Sequence, residues 1–261
     1  MRVIGKSVNF LSRTQFAQVD HFLKDDVYKN LEGKFPKLVE FSSFGPIDKS
    51  NVIVKKDYYQ FGPQDGEWKK FGSYFVSEEF FQKMCEFYEK DIANHYPKLN
   101  KKIKNKTLKI GIHGEDSFET CDILLDFQIG INTPVLELST CRGPHLDNRK
   151  VLYVGLCYFK DEKDSTSSGH YTAYEVLNKK VRLGSSRSVT EDQIRPFTEV
   201  KYGANRLATF MNTPYSVHGV SQREITNMER KFFVFNAVTK EDLYFIKRPL
   251  WERILNKVLR K

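Results

Sequence analysis

Residues Gly143 to Lys150 read GPHLDNRK and run directly into VLYVGLCYF, an apolar stretch with the composition of a buried strand. On an extended chain residues i and i+2 project to the same side, so His145 and Asp147 point together, which is a chelating arrangement. Two side chains hold a divalent ion poorly. The third donor is His218 in PYSVHGV, near the end of another β-rich run that a β fold could return to the same rim. Two imidazoles and one carboxylate on one face of an octahedron leave three adjacent positions open. That set suits ferrous iron when a co-substrate and dioxygen must bind side by side. Zinc accepts the same donors, but catalytic zinc usually keeps one open position, so iron is expected. A competing set exists: His113 and Glu115 in IHGED, with His170 as a third member. There the strand ends in acidic turn residues, whereas HLDNR leads into a strand, a glycine-led strand and a hairpin carrying His218.

The elements that would position these residues are short and β-rich. From about Thr107 the chain reads TLKIGIH, DILLDFQIG, PVLELST, KVLYVGLCYF, HYTAYEV, NRLATFMN, PYSVHGV and RKFFVFNAV, separated by polar breaks. Such spacing predicts a sandwich or jelly roll and not a parallel α/β sheet. The first hundred residues read mainly as helix and loop. In FAQVDHFLKDDVYKNLEGKFP the residues Phe22, Leu23, Val27, Leu31 and Phe35 fall at helical spacing, with Gly33 and Pro36 as a stop. Ser77 ahead of Glu78 and Glu79 caps a second helix whose stripe runs through Phe80, Phe81, Met84, Phe87, Tyr88 and Ile92. YYQFGPQDGEWKKFGSYF has no clean period and reads as an ordered loop with buried rings. Leu177 to Gly203 reads as an insertion between strands, and WERILNKVLRK as a basic C-terminal helix docked on the barrel. The expected organisation is a helical and loop region over 1–105, a β core over 106–240 and the C-terminal helix over 241–261, all packed as one domain.

With 261 residues, 40% hydrophobic and 14% aromatic, the chain is long enough to bury a sizeable core. A net charge of +9 favours anionic partners in general without naming one. MRVIGKSVNF lacks the apolar run of a signal peptide, and no stretch approaches the roughly 18 apolar residues that span a bilayer, so a soluble, cytoplasmic protein is expected. Cys85, Cys121, Cys141 and Cys157 form no CxxC pair and are read as reduced thiols.

The order HLD, KVLYVGLCYFK, SSGHYTAYEV, IRPFTEVKYGANRLATF, PYSVHGVSQRE and ERKFFVF resembles the iron(II)- and 2-oxoglutarate-dependent oxygenases, closest to their prolyl-hydroxylase-like branch. It covers about Pro134 to Val238, and VDHFLKDDVYKNLEGKFP resembles that family's leading helix. The resemblance implies a mainly β fold with flanking helices built on a double-stranded β-helix, the jelly roll of the cupins. It implies Fe(II) on His145, Asp147 and His218, 2-oxoglutarate and O2 as co-substrates, and ascorbate as a supporting reductant. An arginine should grip the distal carboxylate of 2-oxoglutarate through two parallel hydrogen bonds. Arg230, twelve residues past His218, fits that role and Arg223 is the reserve. Tyr158 matches a position that donates a hydroxyl to the same carboxylate, and Asn205 and Arg206 match a structural Asn-Arg pair. Two departures stand out: Phe232 replaces a small hydroxyl residue two after the arginine, and Ser168-Gly169 replaces Gly-Gly. The activity implied is hydroxylation with release of succinate and CO2. The substrate is left open among a peptidyl side chain, an amino acid, a sugar and a small metabolite. A nucleic-acid dealkylase is disfavoured, because the paired arginines associated with that branch are missing. The alternatives are a non-oxidative metal cupin, which needs the triad but no co-substrate arginine, and a binding module without turnover.

Overall fold

A computed structural model of the protein describes residues 16–36, 56–59, 66–177 and 189–244. Among the described residues, ten strands and five helices carry the fold. The helices are α1 (Asp25–Gly33), α2 (Gly66–Phe75), α3 (Glu78–Phe87), α4 (Glu89–His95) and α5 (Pro97–Lys104). The strands are β1 (Phe16–Asp20), β2 (Lys56–Tyr59), β3 (Ile110–Ile112), β4 (Ile123–Asn132), β5 (Val151–Phe159), β6 (Tyr171–Val176), β7 (Ile194–Val200), β8 (Arg206–Met211), β9 (His218–Val220) and β10 (Arg230–Thr239). They form a large sheet in the order β1-β8-β5-β10-β4-β2, with β3 beside β4, and a small sheet in the order β7-β6-β9.

From β4 onward the chain shuttles between the two sheets. β4, β5, β8 and β10 lie in the large sheet, while β6, β7 and β9 lie in the small one. The segment between β4 and β5 joins the small sheet through bridges of Ser139 with Arg223 and of His145 with His218. This winding is the jelly roll expected from the pattern of short strands.

Strand alternation decides what each face of the large sheet does. Phe127, Ile129, Ile131, Phe233 and Phe235 project outward into one cluster with Trp68, Phe71, Phe75, Phe80, Phe81 and Ile92 of the helices. Gln128, Asn132, Arg230, Phe232, Val234 and Asn236, on the same strands, face the opposite way and line a cavity between the sheets. The helices thus seal one face, and the other remains available for chemistry. Ser77 caps α3 as expected, its Oγ accepting from Phe80 N at 3.2 Å.

Several sequence readings are corrected. Residues 16–20 continue no helix; they pair with β8 in the register Phe16 to Phe210, and the helix starts at Asp25. The stripe through Ile92 is split into α3 and α4 at Tyr88, whose hydroxyl pairs with Thr209 Oγ1 at 3.0 Å. Residues 66–75 of the stretch read as a loop are helix α2, with Trp68, Phe71 and Phe75 on its buried side. PVLELST is not a strand: Val135 and Ser139 make isolated bridges while Leu136 and Leu138 are exposed. Part of the supposed insertion is strand β7, whose Pro196 sits at a register shift on an edge strand, where a missing N–H is tolerated. The C-terminal helix read over 241–261 lies beyond residue 244 and so outside the described residues. Among the described residues no helix is long and apolar enough to cross a membrane. All four cysteines are free.

Candidate metal centre and co-substrate pocket

His145 and His218 face each other as an antiparallel pair, with His145 N donating to His218 O at 2.8 Å and His218 N to His145 O at 3.0 Å. Their rings lie 4.2 Å apart between centroids. Asp147, two residues along from His145, closes the group: its Oδ1 is 3.5 Å from His145 Nε2 and its Oδ2 is 3.7 Å from His218 Nε2. Among the described residues this is the group of metal-apt side chains that converges, with all donor atoms within 4.8 Å of one another. The competing His113, Glu115 and His170 do not converge. His113 bridges Asp116 in its own turn, and His170 Nδ1 accepts from Tyr202 N at 3.2 Å.

The residues present fit a metal. Each imidazole has its Nδ1 against a backbone carbonyl, Gly143 O at 2.8 Å for His145 and Ser216 O at 3.0 Å for His218. A carbonyl only accepts, so Nδ1 carries the proton and the Nε2 lone pair points at Asp147, the tautomer a metal ligand needs. His145 Nε2 is buried with no hydrogen-bond partner. Burial brings His218 down to about 3, outweighing the attraction of Asp147, so it is neutral at neutral pH. Burial opposes ionisation of Asp147, but His218, His145 and Arg142 together hold its carboxyl below the usual range. The centre therefore presents an ionised carboxylate, a neutral His218 and the Nε2 of His145. Metal–ligand bonds of about 2.1 Å place neighbouring donors about 3 Å apart, a contraction of roughly half an ångström from the spacing observed. Tyr171 stacks on His218 at 5.4 Å between centroids and Phe210 packs on it at 4.3 Å, which holds the ring in place. Neither was singled out in the sequence. Their signal is only that β6 pairs with the histidine strand, while β8 belongs to the large sheet.

The same cavity, of about 270 Å³, is lined by Tyr158 and Arg230 as well as by the triad. Arg230 is 2% exposed and, among the described residues, has no carboxylate partner. Its Nη1 donates to Gly169 O at 2.7 Å and its Nη2 to Ser168 O at 3.0 Å, and the Tyr202 ring lies 3.6 Å from the guanidinium carbon. Gly169 is obligatory in this turn: its φ is +65°, and a Cβ would lie 2.5 Å from Arg230 Nη1. The Ser168-Gly169 departure thus serves as the cradle of the arginine. Tyr202, missed in the sequence, carries the guanidinium on its face and meets Tyr158 edge-on at 5.2 Å. Phe232, the other departure, is buried with its ring over Gly130, where a Cβ would lie 2.3 Å from the ring. It makes one wall of the pocket aromatic.

Arg223 stands differently. It is 1% exposed, its Nη1 reaches only Thr133 O at 3.4 Å, and it does not line the cavity. Burial, then the neighbouring Arg230, lowers it to about 10, still protonated at neutral pH. Asn205 and Arg206 are structural, as read. Asn205 Oδ1 accepts from Leu23 N and its Nδ2 donates to Leu23 O, both at 2.8 Å, while Arg206 pairs with Asp20. Asn148 accepts from Lys150 N at 3.1 Å, and Arg149 pairs with Asp242 at 3.1 Å, so both shape the turn after the HxD pair.

No protein-family model matches the chain, and no curated protein matches its sequence. Solved structures do. A prolyl-4-hydroxylase from Pseudomonas putida is 12% identical, covering 88% of this chain and 96% of its own, with a TM-score of 0.47. HygX from Streptomyces hygroscopicus, solved with nickel, 2-oxoglutarate and hygromycin B bound, is 9% identical over 90% of this chain and 86% of its own, with a TM-score of 0.47. A Trichoplax adhaerens prolyl hydroxylase in complex with a peptide fragment of hypoxia inducible factor is 10% identical over 89% of this chain and 87% of its own, with a TM-score of 0.45. The solved structures to which this chain is similar include prolyl hydroxylases and a 2-oxoglutarate-bound protein, the kind that the order of motifs in its sequence resembles.

Proposed function

We propose that this protein is an Fe(II)- and 2-oxoglutarate-dependent dioxygenase that hydroxylates its substrate and releases succinate and CO2. The observation that supports this reading most is one cavity with two charged poles. At one end stand two imidazoles and an ionised carboxylate; the wall also carries a buried guanidinium without a carboxylate partner among the described residues. A buried, unpaired cation is costly, and a ligand carboxylate is the partner that relieves it. A non-oxidative metal cupin has no use for that cation, which is why the oxygenase is preferred over it.

In this reading His145, Asp147 and His218 hold ferrous iron. Iron, with dioxygen and 2-oxoglutarate, supplies the oxidative decarboxylation and the C–H hydroxylation. The chain's own work is to bind and orient. Arg230 turns its fork to the distal carboxylate of 2-oxoglutarate, with Tyr202 and the carbonyls of Ser168 and Gly169 holding the fork in position. Tyr158 borders the same carboxylate site. Phe232, Leu156 and Val234 exclude water from it. Arg223 adds positive potential behind Arg230. O2 and ascorbate complete the set of co-reactants, and a cytoplasmic location agrees with free cysteines.

The test is anaerobic addition of Fe(II) and 2-oxoglutarate, watched for the weak visible charge-transfer band of the chelate. The wild-type protein is expected to show the band and His145→Ala to lose it. No band in wild type at saturating ligand refutes the proposal. A band without succinate formation over a broad substrate panel would instead favour a binding module.

A further inference from the structure

Beside the triad and the arginine, the cavity has a third chemical feature that neither role uses. On the central strands β4 and β10, Gln128, Asn132 and Asn236 point inward, where the neighbouring β5 and β8 present Val154, Leu156 and Ala208. Carboxamides in the interior of a barrel are costly unless they are hydrogen-bonded. Asp126 stands beside them, directly across from Asn236 and two residues before Gln128 on the same face of β4. Its Oδ2 accepts from Gln128 Nε2 at 2.6 Å and from Asn236 Nδ2 at 3.4 Å. Each amide gives one N–H to Asp126, and this fixes which way each amide is turned. The amide oxygens are turned away. Asn236 Oδ1 is buried without a partner, and so is Asn132 Oδ1, on a side chain only 6% exposed. The inner wall beside the triad therefore holds two buried acceptors without partners, those of Asn132 and Asn236, backed by Asp126.

We propose, on the basis of the oxygenase reading above, that this wall recognises the substrate, and that the substrate is a small molecule rich in O–H or N–H donors, a polyol or an amine. A prolyl ring within a peptide has no N–H and an apolar edge, so it would desolvate these acceptors without pairing them. Each buried acceptor left unpaired weakens binding roughly tenfold or more. The net charge of +9 favours anions at the surface in general, whereas the wall itself selects donors. The cavity of about 270 Å³ is smaller than most small-molecule sites, roughly 300–1,000 Å³, and has to admit 2-oxoglutarate too, which limits the substrate to a compact molecule or the entering part of one.

The experiment uses the whole chain, loaded with Ni(II) and 2-oxoglutarate so that binding is read without turnover. Three arms are titrated and followed by melting temperature and by calorimetry: neutral monosaccharides, free L-amino acids with small diamines, and a proline-containing peptide. A ligand from one of the first two arms is expected to bind and raise the melting temperature. Which arm responds tells hydroxyl from ammonium. Gln128→Leu and Asn236→Leu should each weaken that ligand roughly tenfold or more. Binding of the peptide with neither donor arm responding, no binding in any arm, or wild-type affinity in both leucine variants overturns the proposal. If the variants misfold, the three arms on wild type decide alone. The Fe(II)–2-oxoglutarate band is recorded first on wild type without substrate, so its absence refutes the oxygenase reading separately, and the substrate class falls with it.

Discussion

Replacing Arg230 by Met removes the charge and the fork while keeping a side chain of similar length in a pocket with aromatic walls. In the free protein the guanidinium satisfies the carbonyls of Ser168 and Gly169, lies on Tyr202 and leaves Nε without a partner. A ligand carboxylate that meets the guanidinium gains up to two charge-assisted hydrogen bonds, each about 1.5–3 kcal/mol. Their loss is about 3–6 kcal/mol, or roughly 10²- to 10⁴-fold in affinity for 2-oxoglutarate. The melting temperature of the free protein is a poor readout, because two effects oppose. The variant sheds an uncompensated buried charge but orphans two carbonyls. The assay is therefore an anaerobic titration of 2-oxoglutarate into the Fe(II) protein, with the ligand-dependent thermal shift as a second measure. Arg223→Met is the control: its Nη1 is engaged with Thr133 O and it does not line the cavity, so its loss of affinity should be well below that of Arg230→Met. Affinity of Arg230→Met within about threefold of wild type, or the larger loss falling on Arg223→Met, would refute the assignment.

His145→Ala leaves two donors of three, and Co(II) affinity should drop more than about 100-fold by calorimetry, since even outer-sphere partners of ligands account for 10–100-fold. Stripping metal with a chelator should weaken 2-oxoglutarate binding by tenfold or more and leave only the contacts around Arg230; an unchanged affinity would place the ligand away from the triad. Gly169→Ala sets a Cβ 2.5 Å from Arg230 Nη1 at a φ of +65°, and should cost about 1–2 kcal/mol in denaturant unfolding together with a weaker 2-oxoglutarate titration. Ser77→Ala removes the cap of α3, on the far side of the large sheet, and should lower stability by about 1 kcal/mol with 2-oxoglutarate affinity unchanged.

The parts legible in the sequence share one trait: their geometry is set within a few residues. His145 and Asp147 need only an extended chain to point together, and Ser77 with Glu78 and Glu79 marks a helix start wherever it occurs. RKFFVFNAV, a short run rich in apolar and aromatic residues between polar breaks, announces a strand. What stayed hidden depends on distant partners. FAQVD is a strand because β8 offers it an edge, and IRPFTEV is one because an edge strand tolerates Pro196. The convergence of His218 on Asp147 rests on the small sheet pairing β9 with the segment before β5. Tyr202 and Tyr171 could not be told from packing tyrosines, because what distinguishes them is a guanidinium and an imidazole that the fold sets beside them. The inward carboxamides of β4 and β10 were visible as polar breaks in the apolar pattern, DFQIGIN and FNAV, but only the cavity gives those breaks a meaning.

The charges of the cavity also order its events. With His218 neutral and Asp147 ionised at neutral pH, the carboxylate is a negative charge at the triad end of the cavity. The near carboxylate of 2-oxoglutarate would meet that charge in a low-dielectric site, where like charges a few ångströms apart repel by several kcal/mol. A divalent ion changes the sign of the triad end to a net positive charge, and the same carboxylate is then attracted. On the oxygenase reading, the buried guanidinium of Arg230 would attract the distal carboxylate in either case. Metal would therefore precede co-substrate on the same reading, and without metal Arg230 would be the group left to hold the diacid. Arg142, 3.6 Å from Asp147 and more exposed than the triad, is a cation already beside that carboxylate. On that reading the centre would load from the metal outward, leaving the wall of Gln128 and Asn236 for the molecule that enters last.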